Sequence, residues 1–147
     1  MIHIKRILYP TDFSSYSNQA YFHAVALAEN HGAELTIIYV HSSREKNAEY
    51  WRGQLEQIRP LNRSITVRHK MLFGDPATEI VRFAHESMAD LIVMGTHGRT
   101  GVEKILLGSV AEKVMQDAPC SVMVVKLPRA IPDQCLIVHD DPRATNQ

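Results

Sequence analysis

Four short apolar runs rich in β-branched residues recur along the sequence, at residues 7–9, 35–40, 91–94 and 122–125. Their apolar residues are continuous rather than alternating, which is typical of strands that are covered on both faces. A fifth segment, 64–72, alternates apolar with polar residues and is therefore typical of an edge or half-exposed strand. The hydrophobic pattern thus predicts five strands.

Helical patterns lie between these strands. In segment 15–31 apolar residues recur at three- and four-residue spacing, and Gly32 follows as a helix stop. Segment 75–88 has the same spacing. It begins with Asp75 as a cap and Pro76 at a position where no amide hydrogen is needed. Both segments are predicted to be helices.

Two further helices complete the alternation. Segment 109–117 begins with a Ser-x-x-Glu capping box in which Ser109 is the predicted cap. The charged segment 43–59 is predicted to be the other helix. Strands that alternate with helices form βαβ units. The prediction is an α/β fold over residues 1–127, a doubly wound, Rossmann-like, five-stranded parallel sheet with helices on both faces. Residues 128–147 fall outside this rhythm and are predicted to form a C-terminal extension, a short strand or arm with a frayed end.

The charge balance narrows the class of function. Sixteen Lys and Arg balance sixteen Asp and Glu, which argues against nucleic acid or an anionic membrane as a partner, because both require a basic excess. No run approaches the roughly 18 apolar residues of a membrane span, and the start has no signal-peptide core. We expect a cytoplasmic protein without membrane insertion.

Candidate ligand-binding residues follow the predicted strands, because ligands of open α/β sheets bind at the carboxyl ends of the strands. The segment 95–101 contains three glycines in seven residues. Such a loop needs unusual backbone angles or is approached closely by a ligand. Gly108 and Ser109 then open a helix whose free amides favour an anion, and Arg99 could add a charge-assisted contact. On these residues alone, a phosphate site and a purely structural turn stay equal alternatives. The absence of GxxxxGK[ST] and GxGxxG disfavours a P-loop NTPase and a dinucleotide-dependent dehydrogenase.

The spacing of these residues resembles that of the universal stress proteins. Gly95, Gly98, Gly108 and Ser109 match the G-x2-G-x9-G-[S/T] pattern of that family. The opening segment 7–14 and the flanks of the pattern are similar too, so the resemblance covers residues 3 to about 126. It implies a five-stranded parallel sheet and a homodimer, and members that carry the full pattern bind ATP or AMP.

The resemblance also implies roles for individual residues. The glycines and Ser109 would surround the ribose and phosphates, and His97 and Arg99 would approach the phosphates. Asp12 and the backbone of Val40 would face the adenine, although Asp12 is equally well placed to cap the helix that begins near Ser15. Whether Mg or Mn accompanies the phosphates is left open. The expected nucleotide-binding residues are Pro10, Thr11, Asp12, Val40, Met94, Gly95, His97, Gly98, Arg99, Gly108, Ser109 and Val110.

The function expected from this resemblance is regulation in a stress response by an adenine-nucleotide-binding dimer. No catalytic residue is assigned, and slow ATP hydrolysis or self-phosphorylation at Ser109 or Thr100 is the most that is expected. One alternative is a nucleotide-free dimerisation module, against which the intact glycine pattern counts. The other is an adenylyl-transfer enzyme of the related α/β superfamily, whose HxGH and SGGxDS motifs are absent here.

The resemblance places the fifth strand at an edge of the sheet. An apolar edge strand leaves amides and carbonyls unpaired and invites pairing with another chain. We expect it to pair with its counterpart in a two-fold homodimer, the commonest closed assembly. The alternative is that the tail segment 135–138 covers this edge within one chain. The apolar residues of the strand are Val122, Met123, Val124 and Val125.

Overall fold

The computed structural model describes residues 2–96 and 108–126, and it confirms the predicted α/β fold. The strands are β1 Arg6–Pro10, β2 Glu34–His41, β3 Val67–Phe73, β4 Leu91–Gly95 and β5 Ser121–Val125. The helices are α1 Ser15–His31, α2 Ala48–Glu56, α3 Pro76–Glu86 and α4 Ser109–Asp117. Helix α2 is shorter than the predicted segment 43–59. The predicted extension 128–147 lies outside the described residues.

The five strands form one parallel sheet in the order β3-β2-β1-β4-β5. Strand β1 lies at the centre, where Leu8 pairs with Thr36 of β2 on one side and with Ile92 of β4 on the other. The chain first moves outward from β1 to β3 and then returns to β4, so the winding reverses between β1 and β4. Ligands of open α/β sheets bind at this reversal, beyond the carboxyl ends of the strands.

Helices cover both faces of the sheet. Ile7 and Tyr9 of β1 pack into the core beneath α1 and α2, whereas Leu8 packs into the second core beneath α3 and α4. Burial on both faces explains why the central strands are continuous apolar runs. β3 and β5 are the edges, and β3 alternates between half-buried and exposed positions along most of its length, as its sequence predicts.

The ends of α1 and α3 follow local sequence rules. The Oγ of Ser14 caps α1 by accepting the amide hydrogen of Ser17, and Gly32 ends that helix in the left-handed conformation with φ 62°. The carboxylate of Asp75 caps α3 by accepting the amide hydrogen of Thr78 at 3.0 Å and its hydroxyl hydrogen at 2.8 Å. These hydrogen bonds hold the pKa of the Asp75 carboxyl below its ordinary value.

The predicted capping box at α4 is wrong. Gly108 is the N-cap and Ser109 is the first helical residue, because the Gly108 carbonyl already accepts the amide hydrogen of Glu112 at 2.9 Å. The Ser-x-x-Glu pattern therefore begins one position too late to cap the helix. No side chain of the described residues caps α4.

The loop between β1 and α1 is held by an aromatic cluster. Phe13 adopts φ 65°, which is rare for a bulky residue. Its ring stacks on Trp51 at 5.0 Å between centroids and lies 5.0 Å from the ring of Tyr39. The amide of Phe13 donates to Thr11 Oγ1 at 3.0 Å. Aromatic packing thus holds the loop in a strained conformation, which is common beside functional sites.

Candidate functional site

A cleft of about 380 Å³ lies beyond the carboxyl ends of β1, β2 and β4 and is closed by the start of α4. Its volume falls in the range of small-molecule sites. His97, Gly98, Arg99 and Thr100 lie outside the described residues. The other predicted binding residues all line the cleft, namely Pro10, Thr11, Asp12, Val40, Met94, Gly95, Gly108, Ser109 and Val110.

Asp12 lies in the cleft at the turn that follows β1. Its Oδ1 accepts the amide hydrogen of Ser14 at 2.9 Å, which closes a local Asx turn. The expectation that Asp12 caps α1 is wrong, since Ser14 is the cap. The carboxylate of Asp12 instead fixes the turn that carries it into the cleft.

Buried hydroxyls support the floor of the cleft beneath this turn. The Tyr9 hydroxyl donates to the Ser17 carbonyl at 2.7 Å, and the hydroxyl oxygens of Ser17 and Thr11 lie 3.0 Å apart. Burial raises the pKa of Tyr9 above its ordinary value, so its hydroxyl stays a donor. Because these groups satisfy one another, Thr11 and Ser17 line the cleft in fixed positions.

The peptide groups of Val40 face the cleft. The carbonyl of Ile38 accepts the amide hydrogen of Thr11 at 2.8 Å, whereas the carbonyl of His41 accepts that of Gly74 on the β3 side at 3.1 Å. Peptide groups of successive residues point to opposite sides of a strand. Val40 therefore directs its amide and carbonyl to the same side as Ile38, where β1 has already ended.

Gly95 lines the cleft, but the fold itself requires a glycine there. A Cβ at this position would lie 2.6 Å from the backbone oxygen and 2.9 Å from the carbonyl carbon of Tyr16. Its φ is not positive, so this glycine is required by the lack of space for a side chain and not by an unusual backbone angle. The start of α1 packs directly against the end of β4, and only a residue without a side chain fits between them.

The N-terminus of α4 opens onto the cleft through Gly108, Ser109, Val110 and Ala111. The amide of Gly108 donates to the carbonyl of Thr96, which brings the helix start beside the end of β4. The amides of Ser109, Val110 and Ala111 precede the first i→i−4 hydrogen bond that the described residues make in this helix. Together with the helix dipole, such amides favour an anionic ligand.

The loop after β2 contributes a carboxylate that sequence reasoning missed. Glu45 lines the cleft, and its Oε2 accepts the hydroxyl hydrogen of Tyr39 at 3.0 Å. Asp12 and Glu45 are the charged residues among the described lining residues, and both are acids. Their side of the cleft suits hydroxyl and amino donors of a ligand, whereas the α4 amides suit phosphate oxygens.

Other lining residues were also missed. Thr96 and Ala111 adjoin predicted residues, so the rule that ligands bind at strand ends could have found them. Ser17 and Ile80 lie within helices and carry no such signal. The missed lining residues are Ser17, Ile38, Tyr39, Ser42, Glu45, Pro76, Ile80, Thr96 and Ala111.

In the described part of the chain, no helix is both long enough and apolar enough to cross a membrane. Within residues 2–96 and 108–126, no three His, Cys, Asp or Glu side chains are grouped to hold a metal ion.

Known proteins are similar to this chain in both sequence and fold. The family model described as "Universal stress protein family" matches residues 3–126. Universal stress protein MJ0531 of Methanocaldococcus jannaschii is 42% identical over an alignment 142 positions long, and the match covers 85% of this chain and 84% of that protein. The solved structure of hypothetical protein MJ0577 is 33% identical with a TM-score of 0.79, and the match covers 87% of this chain and 99% of that one.

Two ligand-bound structures share the fold at lower identity. A universal stress protein in complex with cAMP is 24% identical with a TM-score of 0.65, over 85% of this chain and 98% of that one. A universal stress protein family protein of Arabidopsis thaliana with AMP bound is 16% identical with a TM-score of 0.61, and the match covers 89% of this chain and 97% of that one. Given the family model that spans residues 3–126 and the 42% identical relative, the chain belongs to the universal stress protein family.

Proposed function

We propose that the chain is a regulatory protein of the stress response that binds ATP or AMP in the cleft. The observation that carries this proposal is the start of α4, where amides without a side-chain cap meet the same cleft as the peptide groups of Val40. One cleft thus offers donors for a phosphate and a donor–acceptor pair for a base. Residues 1–127 are the proposed nucleotide-binding domain, and 128–147 the proposed extension.

The phosphates are proposed to lie against the first turn of α4, where Ser109 adds a hydroxyl to the backbone amides. His97, Gly98 and Arg99 belong to the segment between β4 and α4 and are proposed to approach the phosphates from there. If Mg or Mn accompanies the nucleotide, its ligands are proposed to be phosphate oxygens and water. Asp12 and Glu45 do not belong to a three-residue metal cluster among the described residues.

The adenosine half is proposed to lie beyond β1 and β2. An adenine edge presents an acceptor nitrogen beside a donor amino group, which the amide and carbonyl of Val40 match. Ile80 and Met94 supply apolar walls, and Asp12 can accept a hydroxyl or amino hydrogen. Two structures of the same fold, one in complex with cAMP and one with AMP bound, support an adenine nucleotide as the ligand.

The nucleotide content of the purified protein tests this proposal. We expect denaturation to release ATP or AMP at about one per chain, identified by anion-exchange chromatography, and calorimetric titration of the emptied protein to restore binding. A protein that releases no nucleotide and binds none on titration would instead be the nucleotide-free dimerisation module. Efficient hydrolysis of ATP would contradict the proposal that the protein acts only through the presence of bound nucleotide.

Ser109→Ala is expected to separate binding from stability. Because Ser109 is not the cap of α4, the free energy of unfolding of the variant should differ from that of the wild type by less than about 0.5 kcal/mol. Loss of a hydroxyl bond to phosphate should weaken ATP affinity about fivefold. Titration calorimetry and urea denaturation measure the two quantities. An unchanged affinity would remove Ser109 from the site, and a loss of stability of more than about 1 kcal/mol would contradict the absence of a side-chain cap on α4.

The proposed assembly is a homodimer through β5. β5 is an edge strand, and Val122, Met123, Val124 and Val125 run along it without a charge. Val122 and Val124 pack partly against the core beneath α3 and α4, whereas Met123 is 36% exposed. Pairing of β5 with its counterpart about a two-fold axis would satisfy the peptide groups of this edge, to which no other described strand pairs.

Met123→Lys is expected to weaken this dimer with little change in the fold. In a two-fold pairing it places a charge close to its symmetry mate, so repulsion and desolvation both oppose association. Light scattering across a dilution series compares it with wild type and with Met88→Lys, the same change at an exposed residue outside the strands. A wild type that stays monomeric at high concentration would refute the edge pairing.

A further inference from the structure

A second cleft, of about 530 Å³, lies on the sheet beside the last part of α3. It is lined by Phe83 of α3 and by Ser87, which directly follows the helix, whereas Pro76 and Ile80 at the start of α3 line the first cleft. The two clefts share none of their described lining residues. The second is here called the α3–β3 cleft. Its volume falls in the range of small-molecule sites, and the proposed function does not use it.

The register of the sheet brings residues of three strands together in the α3–β3 cleft. Thr36 of β2 pairs with Leu8 of β1 on one side and with Arg68 of β3 on the other. Paired residues of neighbouring strands direct their side chains to the same face of the sheet, and so do residues two apart on one strand. Because Leu8 packs into the core beneath α3 and α4, Thr36, Arg68 and Lys70 share that face. This face is therefore apolar beneath the helices and polar toward the edge strand β3.

Thr36 supplies a polar group at the bottom of this cleft. The residue is 7% exposed, and its hydroxyl makes no hydrogen bond within residues 2–96 and 108–126. Buried polar groups ordinarily have a partner. No fully buried side-chain oxygen or nitrogen in those ranges lacks one, so the Thr36 hydroxyl is reached from the cleft and is not sealed in the core. It thus offers an unused donor and acceptor to a ligand.

Cations surround the mouth of the α3–β3 cleft. Arg6, Arg68 and Lys70 line it and are exposed, and Glu34 is the acid among its described lining residues. Nε of Arg68 lies 3.0 Å from Oε2 of Glu34, which compensates one of the three positive charges. Arg6 and Lys70 have no ion-pair partner in the part of the chain that the structure describes. Two positive charges are therefore uncompensated here, whereas the charged residues that line the first cleft are acids.

The end of α3 limits the role of one of these cations. Nη1 of Arg6 donates to the Ser87 carbonyl at 3.4 Å, where the helix dipole favours positive charge. Nζ of Lys70 lies 6.0 Å from the ring centroid of Phe83, a half-buried aromatic wall of the cleft. Arg68 keeps donors beyond its Nε, since a guanidinium has five. Arg68 and Lys70 are therefore the cations best placed to meet an anion beside an aromatic ring.

We propose that the α3–β3 cleft is a second binding site, which binds a phosphomonoester with an apolar organic part. A phosphomonoester carries about −1.5 to −2 charges at pH 7, which matches two uncompensated cations better than the single charge of a carboxylate does. The phosphate accepts hydrogen bonds from Thr36, Arg68 and Lys70, and the organic part packs against the ring of Phe83. This site does not require the nucleotide proposed for the first cleft.

Titration with phenyl phosphate, followed by nuclear magnetic resonance of the backbone amides, tests the site. In about 0.15 M salt, which screens nonspecific attraction, we expect saturable shifts at Thr36, Arg68 and Lys70. Benzoate, which has one charge, and inorganic phosphate, which has no apolar part, should each bind at least about fivefold more weakly. The amides of Ser109 and Val110 report separately on binding at the start of α4. Shifts confined to those two amides, or equal affinity for either comparison anion, overturn the proposal.

Thr36→Val removes the hydroxyl and keeps the shape of the side chain. Affinity for phenyl phosphate should fall about fivefold, the effect of one hydrogen bond. The midpoint of urea denaturation should not fall, because no hydrogen bond among the described residues is lost. A variant that loses stability but keeps its affinity would show that the hydroxyl serves the fold and would overturn its role in binding.

Arg68→Gln should weaken the binding of phenyl phosphate at least about tenfold, because it removes charge-assisted donors and leaves Glu34 uncompensated. Arg52→Gln is the matched control, since Arg52 on α2 also pairs with a carboxylate, that of Glu49, but does not line the cleft. The control should bind as the wild type does. An equal loss in both variants, an unchanged affinity in Arg68→Gln, or a wild type without saturable shifts at millimolar phenyl phosphate overturns the site.

Discussion

Gly108→Val is expected to lower the affinity for ATP and AMP about 100-fold while the chain stays folded. Gly108 has φ −61° and ψ 151°, a conformation open to any residue, so valine should not strain the backbone. Its side chain would occupy the space in front of the α4 amides. Charge-assisted hydrogen bonds contribute roughly 1.5–3 kcal/mol each, and the loss of one or two corresponds to about that change in affinity.

Calorimetric titration beside a thermal melt measures both properties of this variant. Gly53→Val is a matched control, because Gly53 lies in α2 and an added Cβ would meet no atom within 4 Å apart from its chain neighbours and the backbone of its own helix. The control should bind as the wild type does. If folded Gly108→Val binds with unchanged affinity, the nucleotide site is not at the start of α4.

Gly95→Ala is expected to lower the free energy of unfolding by about 3 kcal/mol, the upper part of the range for overpacked sites. The added Cβ would meet the Tyr16 oxygen at 2.6 Å and the Ser17 nitrogen at 3.2 Å, and both are backbone atoms. Relief therefore requires the start of α1 to move away from β4, since no flexible side chain can yield.

Urea denaturation measures this loss, with Gly53→Ala as the control. Alanine has a higher helix propensity than glycine, so the control should be equally or more stable than the wild type. An unchanged midpoint for Gly95→Ala would show that α1 can shift without cost. Because Ser17 lines the cleft, a shift of α1 should also weaken nucleotide binding.

The sheet could be predicted because the burial of a strand determines its pattern of apolar and polar residues. β1, β2 and β4 lie between two layers of helices and are continuous apolar runs, whereas the edge strand β3 alternates. The lining residues next to these strands could be predicted by a second rule, because ligands of open α/β sheets bind at the carboxyl ends of the strands. Burial and strand direction therefore account for most of what sequence reasoning found.

The errors arose where one residue decides the outcome. Ser109 has the residue type of a cap, but the preceding glycine carbonyl already begins the helix. Gly95 lines the cleft as predicted, but its close approach to the backbone of Tyr16, 79 residues away in the chain, is visible only in the fold. Glu45 was not singled out, because it lies in a loop whose position the strand pattern does not specify.

The aromatic cluster around Phe13 gives the cleft an optical reporter. Trp51 is the only tryptophan of the chain, is 8% exposed and stacks on the ring of Phe13. Phe13 directly follows Asp12, which lines the cleft, so displacement of this turn alters the surroundings of the indole. Intrinsic fluorescence excited at the tryptophan band should therefore report on the β1–α1 loop without any label, and stopped-flow mixing with the proposed nucleotide can time any displacement of this loop.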